Sequence, residues 1–211
     1  TTQSGPGRLR GSVHFSLRQA AGTGAYWRVF YVATVAVFSS AVMQVHLIPY
    51  SMDRGLTSAE ATLAIALLGA GNSAGRVGLG ALSDRLGRKL TLLAVLALGG
   101  TAMLLLLGAR APWMFYLLAL AFGLAYGGAL VSWFNIPGEL FGLSAVGAIV
   151  GSTQMGSNFG GAAGAFAAGY IFDATGSYAI AFLLSGAFLL LGTGLIFFLK
   201  PPKPPPPGDP E

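Results

Sequence analysis

The stretch Gly80-Ala-Leu-Ser-Asp84-Arg85-Leu-Gly87-Arg88-Lys89 is the densest run of charge in an otherwise strongly apolar chain of 211 residues. Long apolar segments flank it on both sides, so it predicts a short basic turn between two membrane-spanning helices. Only 9% of the residues are charged and 54% are hydrophobic, whereas a soluble domain carries about 25% charged residues. The composition therefore predicts an all-α membrane protein.

Six apolar runs are long enough to cross a bilayer. The first 24 residues are polar, Gly-rich and basic, and residues 200–211 are Pro-rich, so a linker and a tail outside the membrane are predicted there. Pro49 and the segment Asn135–Glu139 are expected to end the first and fourth spans. The predicted spans cover residues 25–48, 57–82, 90–109, 113–134, 143–171 and 178–199. Thr57 and Glu60 predict a capping box at the start of the second span.

The distribution of Lys and Arg predicts how the chain is oriented in the membrane. Six spans put both termini on one side, and that side holds nine cations, whereas the other side holds only Arg54 and Arg110. The basic side, with both termini, is therefore expected to be cytoplasmic, in a plasma (inner) membrane. The nine cations are Arg8, Arg10, Arg18, Arg28, Arg85, Arg88, Lys89, Lys200 and Lys203.

Several classes of function find no support in the sequence. The net charge of +5 is explained by the cations expected on the cytoplasmic side of the membrane, so a nucleic-acid partner is not predicted. The chain has 0 cysteines, which excludes disulfides and thiolate metal sites. Metal-ligand spacing, a phosphate loop and a nucleophile elbow are not found in the sequence. No catalytic residue, metal or cofactor is therefore predicted, and the expected environment is the lipid bilayer.

The opening stretch follows the pattern G-x-x-x-D-R-x-G-R-K at every position and resembles the signature of the major facilitator superfamily. In that family the signature lies in the cytoplasmic turn after the second helix of each six-helix half. The resemblance implies a latch that holds the two halves together on the cytoplasmic side; the alternative is an ordinary basic loop. Glu139 is expected to pair with arginines of this motif. The latch residues would be Gly80, Asp84, Arg85, Gly87, Arg88 and Lys89.

The family is built from two six-helix halves related as a parallel repeat, and this chain supplies one. A basic, linker-like start, a Pro-rich end and a fourth span without Arg favour the C-terminal half. The segment from Phe172 to Tyr178 also resembles the final turn of many members. The resemblance covers about residues 18–200. It implies one half of a major-facilitator fold, a fragment whose partner is a missing N-terminal six-helix half.

Arg76 lies inside the second predicted span, where a charge is expensive and usually functional. Asn72 lies four residues earlier, on the same helix face. The pair resembles the monocarboxylate and oxalate–formate branch, in which an Arg of this helix binds the substrate carboxylate. Monocarboxylate porters often carry Asp where this chain has Asn72, so the pair lacks a carboxylate for a coupling proton. The alternative is that Arg76 snorkels toward Asp84, about 12 Å away along the helix.

The fifth predicted span carries small residues at every fourth position. Gly156, Gly160 and Gly164 belong to this stripe, which predicts close packing against another helix. Gln154 and Asn158 share a neighbouring face and either line a polar cavity or bond to another helix. Oxalate-type relatives carry a Lys in this helix and this chain does not, which favours a monoanion over a dicarboxylate.

Two further side chains have two interpretations each. Tyr126 forms a helical stripe with Phe122 and Trp133, so it either packs in the core or lines a substrate cavity. His46, at the end of the first span, is either an interface residue or a proton carrier. We therefore expect Arg76, Asn72, Tyr126, Gln154 and Asn158 to form the substrate site.

Together these features predict one half of a secondary active transporter, either a symporter or an antiporter. The resemblance implies that it moves a small organic anion such as a monocarboxylate by alternating access, with a coupling proton left open. The alternative is a half-length membrane protein that does not transport and instead serves as an assembly or interaction subunit.

Overall fold

The computed structural model describes residues 15–203. The predicted tail segments 1–14 and 204–211 lie outside the described residues. Within that range the chain is helical and contains no strand. The helices are α1 Leu17–Ala21, α2 Gly24–Asp53, α3 Ser58–Leu86, α4 Arg88–Leu106, α5 Pro112–Phe141, α6 Val146–Thr175 and α7 Ala179–Phe197.

The six long helices match the six predicted spans in number and order. Judged by length and hydropathy within the described range, four of them could cross a membrane: α2, α4, α5 and α7. Helices α3 and α6 contain 29 and 30 residues and are long enough to cross as well. They are less apolar because they carry many glycines and the polar candidates Asn72, Arg76, Gln154 and Asn158. The predicted all-α membrane architecture is confirmed.

The helices associate mainly in two pairs, α3 with α5 and α2 with α6. Helix α4 packs against α5 and α7, and α7 also contacts α2. Large buried side chains join these elements: the ring of Tyr50 on α2 lies 4.7 Å from that of Phe182 and 6.2 Å from that of Phe115. In a bilayer, packing of this kind replaces the hydrophobic drive between helices.

Four glycines bring α3 and α5 into backbone contact. Gly71 and Gly75 of α3 face the backbone of α5, and Gly123 and Gly127 of α5 face the backbone of α3. A Cβ added at Gly127 would lie 2.9 Å from the backbone nitrogen of Arg76, closer than real side chains approach. Both helices thus use small residues four positions apart.

The α2–α6 contact is also made through small residues. Each glycine of the predicted stripe in α6 is buried, and a Cβ added at any of the three would collide with α2. The facing pairs are Gly156 with Phe30, Gly160 with Thr34, and Gly164 with Phe38.

Two prolines do not end their helices where the sequence analysis expected. Pro49 lies inside α2, which continues to Asp53, and Pro137 lies inside α5, which continues to Phe141. Each proline lies in the last turns, where it removes only one backbone hydrogen bond, and neighbouring helices can satisfy the carbonyl that is freed. The helices therefore extend beyond the predicted spans, whose ends at residues 48 and 134 stay predictions.

Part of the predicted linker 1–24 is folded. Ser16 and Gln19 form a capping box at the start of α1. Phe15 is buried, its ring lies edge-on to that of Phe141 at 5.4 Å, and its backbone N–H donates to the Phe141 carbonyl at 3.2 Å. A helix of five residues is too short to show periodicity, so the sequence pattern could not reveal it.

Candidate functional site

Arg76 and Asn72 form a hydrogen-bonded pair on α3. The Nε of Arg76 donates to the Oδ1 of Asn72 at 3.0 Å. Arg76 is exposed, and Asn72 is partly buried. The bond directs the guanidinium toward the N-terminal end of α3, whereas Asp84 lies toward the C-terminal end. The side chain is therefore not extended toward Asp84 as snorkelling would require.

The charge of Arg76 is not compensated within the described part of the chain. The ion pairs found there both involve Arg88, so no described carboxylate lies within 4.0 Å of Arg76. A charge without a partner is unfavourable once it is removed from water, and an anion would supply that partner. The exposed guanidinium of Arg76, in the interior of a 29-residue helix, is available to bind one.

The glycine crossing of α3 and α5 fixes the backbone beneath this pair. The backbone of Gly127 lies against the carbonyl of Asn72 and the N–H of Arg76. This crossing was missed in the sequence analysis, although the spacing of Gly71 with Gly75 and of Gly123 with Gly127 carried the signal.

Tyr126 packs against another aromatic residue of α5. It is partly buried, and its ring lies 6.1 Å from that of Trp133. It lines a cavity of about 10 Å³ together with Phe122 and Leu189. Such a cavity has room for at most one water molecule; a role of Tyr126 in the substrate site stays a prediction.

Gln154 and Asn158 form a second polar pair, on α6. The Nε2 of Gln154 donates to the Oδ1 of Asn158 at 3.2 Å, and Asn158 is exposed. Helix α6 packs mainly against α2, whereas α3 packs mainly against α5. The structure thus places the candidate residues in two polar pairs on different helices rather than in one closed pocket.

Arg88 connects three helices at the basic end of the bundle. Its Nη1 lies 3.2 Å from the Oε1 of Glu139 on α5, and its Nη2 lies 3.9 Å from the Oδ1 of Asp84 on α3. Its Nη1 also donates to the Asn135 carbonyl at 3.3 Å. The expected pairing of Glu139 with the motif is confirmed.

The other motif residues have different surroundings. Gly87 has φ of +90°, a backbone conformation that favours glycine at the turn between α3 and α4. A Cβ at Gly80 would lie 3.5 Å from Val131, an ordinary contact. Arg85 is exposed. Lys89 turns away from Arg88 and bonds to carbonyls at the end of α7.

His46 is more buried than an interface residue would be. It is 7% exposed, its Nε2 lies 3.1 Å from the Ala165 carbonyl of α6, and its ring lies 4.9 Å from that of Tyr178. His46 thus joins α2 to α6 and to the turn before α7.

Comparison with known proteins gives consistent results. The sequence profile of the Major Facilitator Superfamily matches residues 25–211. The chain is 32% identical to monocarboxylate transporter 13 of Rattus norvegicus over 157 residues, which are 74% of this chain and 37% of that protein. It is 32% identical to monocarboxylate transporter 11 of Homo sapiens over an alignment of 161 residues, which covers 72% of this chain and 34% of that protein.

The fold also matches solved structures. A crystal structure of the E. coli fucose:proton symporter superposes with a TM-score of 0.73 at 18% identity, covering 87% of this chain and 45% of that one. The chain spans less than half the length of the curated relatives it matches. The curated relatives at 32% identity carry the names of transporters rather than of enzymes. The profile match over almost the whole chain shows that this integral membrane protein belongs to the Major Facilitator Superfamily.

Proposed function

We propose that the chain forms the C-terminal half of a secondary active transporter that moves a small organic anion, such as a monocarboxylate, by alternating access. Membership in the superfamily supports transport, and the names of the relatives support a carboxylate substrate. The single observation that carries the proposal is Arg76, an exposed guanidinium inside a helix with no described carboxylate near it.

The geometry of Arg76 suits a carboxylate ligand. A guanidinium presents its N–H donors in a planar fork that matches the two oxygens of a carboxylate. Asn72 accepts from Nε, which leaves both terminal nitrogens for the ligand. A single cation neutralises one negative charge, so a monoanion is favoured. Because an amide does not titrate, the Arg76–Asn72 pair does not itself carry a coupling proton.

The remaining candidates are proposed to act when a second six-helix half is present. The polar pairs on α3 and α6 would face a cavity between the two halves, with Gln154 and Asn158 contributing from α6. Tyr126 would support α5 behind the site. Asp84, Arg85 and Arg88 would stabilise the state that is closed on the basic side, which is proposed to be cytoplasmic together with both chain termini.

Uptake of labelled lactate or pyruvate by cells that express the intact protein tests the proposal. We expect Arg76→Gln to abolish uptake, and Arg76→Lys to retain only a small part because an ammonium cannot bind both oxygens in the same plane. Arg110→Gln is the matched control: it removes an exposed cation from the loop before α5 and should leave uptake unchanged. Equal uptake by the Arg76→Gln and unmodified proteins would exclude Arg76 as the anion site.

A further inference from the structure

Basic side chains from α2 and α4 meet at the end of α7. The Nη1 of Arg28, near the start of α2, donates to the Phe198 carbonyl at 3.2 Å. The Nζ of Lys89, at the start of α4, donates to the carbonyls of Phe197 at 2.9 Å and of Leu199 at 2.7 Å. Lys200 follows Leu199 directly in the chain. We call Arg28, Lys89 and Lys200 the basic cluster.

The charge of the basic cluster is not balanced by the described part of the protein. The carboxylates at this end of the bundle, Asp84 and Glu139, both face Arg88 on the α3–α5 side. No ion pair joins Arg28, Lys89 or Lys200 to a described carboxylate. The carbonyls at the end of α7 provide only about half a negative charge, which is too little for three cations.

Exposed apolar side chains surround the basic cluster. Trp27 and Leu90 are each 55% exposed, and Phe197 and Phe198 are 65% and 66% exposed. The indole Nε1 of Trp27 donates to the Ala21 carbonyl at 2.8 Å, which fixes the ring at the start of α2. Exposed aromatic rings beside cations are typical of the level at which lipid headgroups meet the hydrocarbon.

We propose that the basic cluster binds the phosphate headgroup of an anionic phospholipid. Arg28, Lys89 and Lys200 supply the positive charge, and the exposed rings around them contact the acyl chains. Basic pockets between membrane helices hold such headgroups through the same chemistry. A free phosphate ion would satisfy the charges but would leave the apolar rim unused, so the combined surface favours a lipid.

Native mass spectrometry of the intact purified protein tests this site. Phosphatidylglycerol and phosphatidylcholine are added separately, and the ratio of their affinities is measured. Each basic residue near an anionic headgroup contributes about 1 kcal/mol, so the three residues of the basic cluster together predict roughly a 150-fold preference for phosphatidylglycerol. The variant Arg28→Gln with Lys89→Gln keeps only Lys200 and should reduce the preference to about fivefold.

Two further variants separate charge recognition from loss of folding. Arg54→Gln removes the same kind of contact at the opposite end, where Arg54 Nη1 donates to the Leu107 carbonyl at 3.1 Å, and should keep the preference. Arg28→Lys with Lys89→Arg conserves charge and should also keep it. The proposal is overturned if the double Gln variant retains the preference, if Arg54→Gln loses it equally, or if inorganic phosphate at equal concentration displaces the lipid.

Discussion

Replacing Gly127 by alanine places one methyl group into the tightest crossing of the bundle. The new Cβ would meet the Asn72 carbonyl oxygen and would lie 2.9 Å from the Arg76 nitrogen and 3.0 Å from the Asn72 carbonyl carbon. Ordinary carbon–oxygen contacts lie at about 3.3–3.6 Å. Because the atoms in the way are backbone, no side-chain rotation relieves the clash, and α3 must move away from α5.

The expected loss of stability follows from two opposed effects. Overpacking in a well-packed core costs about 1–3 kcal/mol. Alanine in place of glycine inside a helix contributes about 0.5–1 kcal/mol in the opposite direction. We therefore expect Gly127→Ala to lower the free energy of unfolding by up to about 2.5 kcal/mol, the largest difference between these ranges. The displaced turn is the one that carries Asn72 and Arg76, so anion uptake by the intact protein should fall as well.

Reversible unfolding in mixed micelles with increasing sodium dodecyl sulfate, followed by circular dichroism, measures the effect. Gly194→Ala on α7 is the matched control, because an added Cβ there meets nothing within 4 Å. It should leave the protein as stable as before or stabilise it by up to about 1 kcal/mol. If Gly127→Ala is as stable as Gly194→Ala, the backbone contact between α3 and α5 does not limit their approach, and the reasoning fails.

Two other substitutions test individual contacts. Glu139→Gln removes the 3.2 Å ion pair with Arg88. Because both side chains are partly exposed, we expect the free energy of unfolding to fall by less than about 1 kcal/mol. A larger loss, or a loss that persists in 1 M salt, would contradict an ion pair that solvent screens. His46→Phe keeps an aromatic ring beside Tyr178 but removes the donor to the α6 carbonyl. His46→Phe should lower the free energy of unfolding by about 1 kcal/mol, and His46→Gln, which keeps a donor, should lose less. Equal stability of the Phe and Gln variants would show that the hydrogen bond contributes nothing.

Much of the architecture could be predicted from the sequence, because a membrane-spanning helix requires a long run of apolar residues and the hydropathy of the sequence shows such runs directly. Six apolar runs gave six long helices, and the Thr57–Glu60 capping box is present as expected. The ends of the two helices that contain Pro49 and Pro137 were harder to predict. A proline in the last turns of a buried helix removes one hydrogen bond without unwinding the backbone, and local sequence does not show whether neighbouring helices compensate.

The candidate site was only partly accessible from sequence. Helical spacing correctly put Arg76 beside Asn72, and Gln154 beside Asn158, because four residues make one turn. Spacing could not show which way the Tyr126 ring turns. It also could not show that Lys89 faces α7 while Arg88 faces α5. Adjacent residues on a helix point about 100° apart, and the neighbour that each one meets is decided by tertiary packing.

The hydrogen bond from Arg28 to the Phe198 carbonyl has a consequence for how two copies of such a bundle can be joined in one chain. It places the beginning of the first long helix next to the end of the last one, on the same side. A second copy could therefore be joined head to tail through a short connection without disturbing the packing of either copy. Closeness of the two ends is also the property that makes circular permutation and domain insertion tolerable. The architecture of one half thus already contains the geometric condition for a doubled chain.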